Sequence, residues 1–250
     1  MSAAQLERLQ EQMQRLRLFK SRERLEALLQ EATAKETTYA DFLDTLLAEE
    51  VASKTAKHVT MRTRLARFPF VKSLETFDFS YQPSLDKKQV QTLATCQWIR
   101  DHNHLVIVGP TGTGKSWLAC ALGNKACRDG FSVLYKRASR LFADLAQARG
   151  EGRLSRLIAA LERVSLLILD DWGPEPLTAD QRRDLLEIVD DRYDKGSLLI
   201  TSQVPVSSWH DVIADPTLGD AILDRIIHNA NRIELKGDSL RRRVCEKAKA

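Results

Sequence analysis

The first 68 residues contain neither glycine nor proline; proline first appears at Pro69. Such a stretch lacks the residues that break helices or make left-handed turns, so an all-helical segment is expected. Aromatic residues are scarce, at 6 % of 250 residues. The four cysteines (Cys96, Cys120, Cys127, Cys245) form no CxxC pair and no Cys/His ligand spacing, which argues against a disulfide scaffold and a thiolate metal site. Long apolar runs are missing too. Stretches such as Leu105 to Val108 and Leu166 to Leu169 fall far short of the ~20 residues that span a bilayer. The opening MSAAQLERLQEQ carries acids and glutamines where a signal peptide needs an apolar segment. The expectation is a cytoplasmic protein with reduced thiols and no membrane partner.

What the chain does have is charge, in patches. Lysine and arginine number 38 against 34 acids, a formal +4. Between Val51 and Lys72 stand six basic residues and no acid. A second basic stretch runs from Tyr135 to Arg156 and a third from Arg241 to Lys249. Any one patch can be a solvated helix face; together they suggest an anionic partner. In the N-terminal segment, Leu6, Leu9, Met13 and Leu16 repeat at helical spacing, and Phe42, Leu43, Leu46 and Leu47 mark another helix. The expected organisation is a helical module over 1–68, a linker over 69–86 and a larger domain over 87–250.

In that larger domain short apolar strands alternate with helices. Strands are expected at 104–108, 132–136, 166–169, 197–201 and 232–235, with helices at 89–100, 115–128, 138–149, 154–163, 179–194 and 220–228. Strands apolar on both faces with helices between them imply an α/β fold with a parallel five-stranded sheet covered on both sides. Directly after the first strand comes Gly109-Pro110-Thr111-Gly112-Thr113-Gly114-Lys115-Ser116, a full GxxxxGK[ST] match that opens a helix. Its backbone N–H groups and the helix N-terminus cradle phosphates. Lys115 reaches the β- and γ-phosphates, and the Ser116 hydroxyl ligates Mg²⁺. The strand Leu166–Leu169 ends in Asp170-Asp171. An isolated acid pair is usually a cap or a turn. At the carboxyl end of a parallel strand, downstream of a phosphate loop, Asp170 is expected to hold Mg²⁺ and Asp171 to orient or deprotonate the attacking water.

These motifs carry a resemblance. The phosphate loop, LLILDDWG, LLITSQVP, ILDRIIH and KGDSLRRR resemble, in order, AAA+ ATPases of the initiator and helicase-loader group, and more closely the IstB-type transposition helper ATPases of bacterial insertion sequences. The likeness extends to Phe77-Asp78-Phe79, the stretch 82–86, Ala119 to Gly123 and Arg192-Tyr193. It implies an AAA+ P-loop fold with a helical N-terminal domain, and an ATPase that binds ATP and Mg²⁺. It also implies that copies of the chain assemble on double-stranded DNA as a homo-oligomer, hydrolyse ATP between subunits, and deliver the site to a cognate transposase. A replicative helicase loader is the alternative with the same core. By position, Ser202 or Gln203 senses the γ-phosphate, Arg225 is the finger offered to a neighbouring subunit, and Arg241 matches the second sensor. Two departures stand out. Asp171 replaces the glutamate of many AAA+ proteins, and about 15 residues follow the fifth expected strand, too few for a full helical lid. DNA contacts through the backbone are expected from Lys54, Lys57, Arg62, Arg64, Arg67, Arg137, Arg140 and Arg153.

Overall fold

A computed structural model describes residues 2–239. The chain divides into two compact units, one ending at Met61 and the other starting at Arg62. The first unit holds α1 (Ala3–Arg15), α2 (Phe19–Ala34) and most of α3 (Tyr39–Ala66), which runs past the division. Ser2 caps α1 through the Gln5 amide. The apolar spacing read from the sequence becomes a small core: Leu25, Leu28 and Leu46 are buried, and Leu6, Leu9, Met13, Leu29 and Phe42 pack on them. The N-terminus of α2 has no cap of its own. Glu50 supplies one from α3, accepting from the Lys20 and Ser21 amides at 2.7 and 2.9 Å. Burial works against the charged form of this carboxylate, but the two amides and Lys54 outweigh it and hold its pKa below the usual value.

The second unit continues with α4 (Lys87–Ala94), α5 (Gln97–Arg100), β1 (His104–Val108), α6 (Lys115–Arg128), β2 (Val133–Arg137), α7 (Ala138–Gly150) and α8 (Leu154–Glu162). Next come β3 (Leu166–Trp172), α9 (Ala179–Arg192), β4 (Ser197–Ser202), α10 (Trp209–Ile213), α11 (Pro216–Ile227) and β5 (Ala230–Glu234). The single helix expected over 89–100 is two. Cys96 sits at φ +57°, and the Leu93 carbonyl at the break accepts from both the Cys96 amide and the Trp98 indole.

The five strands are parallel, in the order β2-β3-β4-β1-β5. Their side chains alternate between two cores. Leu105, Ile107, Leu166, Ile168 and Leu199 pack with α6, whereas Val106, Leu167, Leu169, Leu198 and Ile200 pack with residues of α7, α9 and α11. Helices on both faces make the expected α/β sandwich. On α6, Gly123 lets the helix lie close to the sheet; a Cβ there would stand 2.7 Å from Ile168 Cδ1 and 2.8 Å from Phe68 Cε1. Gly123→Leu is expected to cost about 1–3 kcal/mol by overpacking, measured by urea unfolding. Among the described residues no helix is long and apolar enough to cross a membrane.

This order places β4 between β1 and β3. The loop after β1 and the acids at the end of β3 therefore flank the end of β4. Strand β3 also runs further than its apolar run suggests. Leu169 pairs with Ile200 and Trp172 with Ser202, so β3 carries one extra residue, a bulge, with Asp171 at φ +61°.

Candidate functional site

A cleft of about 590 Å³ opens at the carboxyl edge of the sheet. The phosphate loop, the β3 acids, the ends of β2 and β4, and the linker around Phe77 line it. Carboxyl edges of parallel strands are where such folds hold ligands. The glycines of the loop have local reasons. Gly112 and Gly114 sit at φ +79° and +99°, and Gly109 packs against the Leu235 carbonyl where a Cβ has no room. Thr113 Oγ1 donates to Pro110 O at 2.8 Å and closes the turn. Lys115 is buried, with Nζ donating to the Gly109 and Pro110 carbonyls at 2.7 and 2.8 Å. Gly114 is the N-cap of α6, and its side chain-free backbone begins the helix at the cleft. From the linker, buried Gln82 donates to Thr113 O at 3.0 Å and braces the loop. Pro110 and Thr111 are exposed at the loop tip.

Asp170 is 2 % exposed and is the best-tethered group in the cleft. Its Oδ2 accepts from Ser116 Oγ at 3.0 Å and from Tyr135 OH at 2.6 Å, and its Oδ1 accepts from Thr201 Oγ1 at 2.6 Å. Three neutral donors replace the water that burial removes from a carboxylate. Burial and the bond to Asp170 push the Tyr135 phenol far above its ordinary pKa, so it remains a donor. Thr201 Oγ1 in turn accepts the Asp171 amide at 3.0 Å, tying the bulge in place. Alternation along a regular strand would send neighbouring acids to opposite faces. The bulge and the positive φ of Asp171 bring both to the cleft. Gln203 Nε2 donates to Asp171 Oδ1 at 3.1 Å.

The remaining site residues expected from sequence divide by location. Ser202 is fully buried and its hydroxyl donates to the Trp172 carbonyl at 2.7 Å, while exposed Gln203 lines the cleft. Arg225, on α11, lies outside the lining of its own cleft. Its Nε is ion-paired with Asp190 of α9, and its Nη1 donates to Ala221 O at 2.8 Å. Arg241 lies outside the described residues. Of the residues expected to touch DNA, Lys57, Arg64 and Arg67 are exposed and Arg62 is half-buried. Lys54 pairs with Glu50, Arg140 with Asp144 and Arg153 with Glu151. Arg137, grouped with them in sequence, lines the cleft, and its partner in the β2–β3 register is Asp170.

The donor set suits a hard cation. Among the described residues no group of three or more His, Cys, Asp or Glu could cage a metal. One hydroxyl and one carboxylate, Ser116 and Asp170, remain beside a phosphate loop. That is the partial shell Mg²⁺ takes when phosphates and water supply the other ligands. The apolar end of the cleft holds Phe70, Phe77 and Trp117, the last two with ring centroids 4.8 Å apart. Tyr135, Gln82 and Trp117 carry no mark in the sequence of a role in this site, and Thr201 only opens the Thr201-Ser202-Gln203 stretch expected to sense the γ-phosphate. Only Thr201, a polar residue ending an apolar strand, leaves a signal there.

The description "IstB-like ATP binding protein" fits residues 11–248. A putative insertion sequence ATP-binding protein of Sinorhizobium fredii is 50 % identical over 215 residues, covering 86 % of this chain and 88 % of that protein. The insertion sequence IS21 putative ATP-binding protein of Pseudomonas aeruginosa is 37 % identical over 226 residues, covering 90 % of this chain and 84 % of the relative. Among solved structures, the DnaC helicase loader superposes with a TM-score of 0.52 at 21 % identity, covering 70 % of this chain and 99 % of that one. That likeness is one of fold. With its phosphate loop, paired β3 acids and five-stranded parallel sheet, the chain belongs to the IstB-like ATP-binding protein family and has the AAA+ P-loop fold.

Proposed function

We propose that this chain is a cytoplasmic DNA-binding ATPase of an insertion sequence. It assembles on target DNA with ATP and delivers that DNA to a partner transposase. The observation that carries the nucleotide half is the Asp170 carboxylate, fixed by Ser116 of the phosphate loop, Tyr135 and Thr201, with Asp171 and Gln203 beside it. Lys115 exchanges the Gly109 and Pro110 carbonyls for the β- and γ-phosphates when the triphosphate enters. Ser116 and Asp170 would hold Mg²⁺, which would neutralise charge developing on the phosphates. Asp170 already accepts three hydrogen bonds, from Ser116, Tyr135 and Thr201. Asp171, at the cleft surface, orients the attacking water and accepts its proton, and Gln203 steadies Asp171 and reads the γ-phosphate. Ser202 is committed to the Trp172 carbonyl, so of the two candidates Gln203 takes the sensor role.

Arg225 serves a neighbouring subunit. It does not line its own cleft and is partly exposed, so a second copy must come close for it to meet a γ-phosphate. This makes turnover depend on assembly. The 1–68 module and the basic residues Lys57, Arg64 and Arg67 supply phosphate contacts that do not read sequence. Sizing of particles formed with duplex DNA tests the reading. ATP is expected to drive assemblies that ADP does not, with phosphate release stimulated by DNA. Affinity for DNA is expected to fall steeply with salt, by roughly 10³-fold between 50 and 200 mM for six phosphate contacts. Equal particle sizes in ATP and ADP, or salt-independent binding, would overturn it.

A further inference from the structure

We propose that Tyr135 is a positioning residue for Asp170. Its hydroxyl, held at the end of β2, fixes the carboxylate oxygen that Ser116 also holds, so that β2 sets the cation affinity of the nucleotide cleft. The inference rests on the magnesium–nucleotide site proposed above and adds to it a residue outside the phosphate loop and the acidic strand.

The geometry is specific. The Tyr135 hydroxyl lies 2.6 Å from Asp170 Oδ2, on a side chain only 7 % exposed. Oδ2 is also the oxygen that accepts from Ser116 Oγ at 3.0 Å, so the phosphate-loop hydroxyl and the β2 phenol meet on one atom. Thr201 holds the other oxygen. A carboxylate turns easily about its last torsion. Two short bonds on opposite oxygens remove that freedom before any cation arrives. Without the phenol, Oδ2 keeps only the longer Ser116 bond, and Ser116 is itself one of the two cation-holding groups. Arg137, two residues along, lines the same cleft. A buried phenol and a buried carboxylate could pair only to satisfy each other. The register argues for more, since β2 and β3 pair Arg137 with Asp170 and place the cleft-lining arginine directly across from the carboxylate.

Partners that orient a metal-holding group typically change metal affinity by about 10–100-fold. The test uses the full chain with ADP. Mn²⁺ binding is followed by electron paramagnetic resonance, and the affinity for a fluorescent ADP analogue is measured with and without EDTA. Tyr135→Phe removes one oxygen and keeps the ring. It is expected to weaken Mn²⁺ binding by about 10-fold and to leave ADP affinity in EDTA unchanged. Equal Mn²⁺ affinity in wild type and Tyr135→Phe overturns the inference, as does a loss of the same size with and without metal. If Tyr135→Phe fails to fold, Tyr135→Met, which also removes the hydroxyl, is read by the same pair of measurements: weakened Mn²⁺ binding supports the inference, and unchanged Mn²⁺ binding overturns it. A wild-type chain that binds no Mn²⁺–ADP overturns both this inference and the proposed function.

Discussion

Arg225→Ala is expected to lower DNA-stimulated ATP turnover by ~10³–10⁵-fold, the range lost when an arginine finger is removed. Nucleotide affinity should be unchanged, because Arg225 lies outside the lining of its own cleft. Phosphate release and equilibrium binding of a labelled nucleotide, measured side by side, separate these effects. The competing explanation is local. Arg225 Nε is paired with Asp190, so its loss could simply loosen α11 against α9. Asp190→Asn separates the two. It removes the pairing charge but leaves the arginine, so a finger keeps working and a structural strut does not. Mixing adds a second discriminator. Asp171→Asn subunits have a defective site and an intact Arg225, so adding them to Arg225→Ala subunits should restore part of the turnover. A residue acting within its own subunit gives no such rescue.

The finger expectation came from resemblance, and the structure shows why the residues alone could not give it. Arg225 sits on a helix with buried Ile222 and Ile226 and an acid partner, surroundings that look the same for a strut and for a finger. The phosphate loop was legible because its chemistry is local. Glycines at positive φ, the lysine and the helix start all lie within eight residues, and α6 runs over the expected 115–128. The four-residue apolar run of β3 was equally plain, but its extension to Trp172 was not. The bulge is set by pairing with β4, and Asp171 adopts positive φ because Thr201 holds its amide. Tyr135 and Arg137 show the limit most clearly. In sequence they open a basic stretch and the arginine was grouped with DNA contacts. In space the β2–β3 register sets them against Asp170, 35 residues from Tyr135 along the chain. Periodicity announces a strand, not which strand lies beside it. The break at Cys96 was hidden for a related reason: it is a positive-φ position occupied by a residue other than glycine, with the Leu93 carbonyl there taken by the Cys96 amide and the Trp98 indole.

Asp171→Asn is expected to reduce the rate of ATP hydrolysis by about 10²–10⁴-fold, the usual contribution of a positioned general base, with ATP binding retained. The two acids are adjacent but differ in what surrounds them. Asp170 is buried and accepts three hydrogen bonds, so its carboxylate is fixed in place. Among the described residues only Gln203 donates to the Asp171 carboxylate, and that residue is exposed. The asparagine is nearly the same size, can keep a bond to Gln203 by its oxygen, and leaves the backbone amide on Thr201 untouched. It removes only the ability to take a proton. Asp170→Asn should behave differently. An amide placed among three donors cannot accept all of them, so that change should weaken magnesium-dependent nucleotide binding as well as hydrolysis. Single-turnover phosphate release with nucleotide saturating, paired with binding measured with and without Mg²⁺, reads both. If Asp171→Asn hydrolyses at the wild-type rate, or if it loses magnesium-dependent binding as Asp170→Asn does, the division of labour between the two carboxylates is wrong. Because an ATP-bound, hydrolysis-defective subunit should remain assembled on DNA, the same variant should also hold its particles together after ATP is diluted, while the wild type releases them.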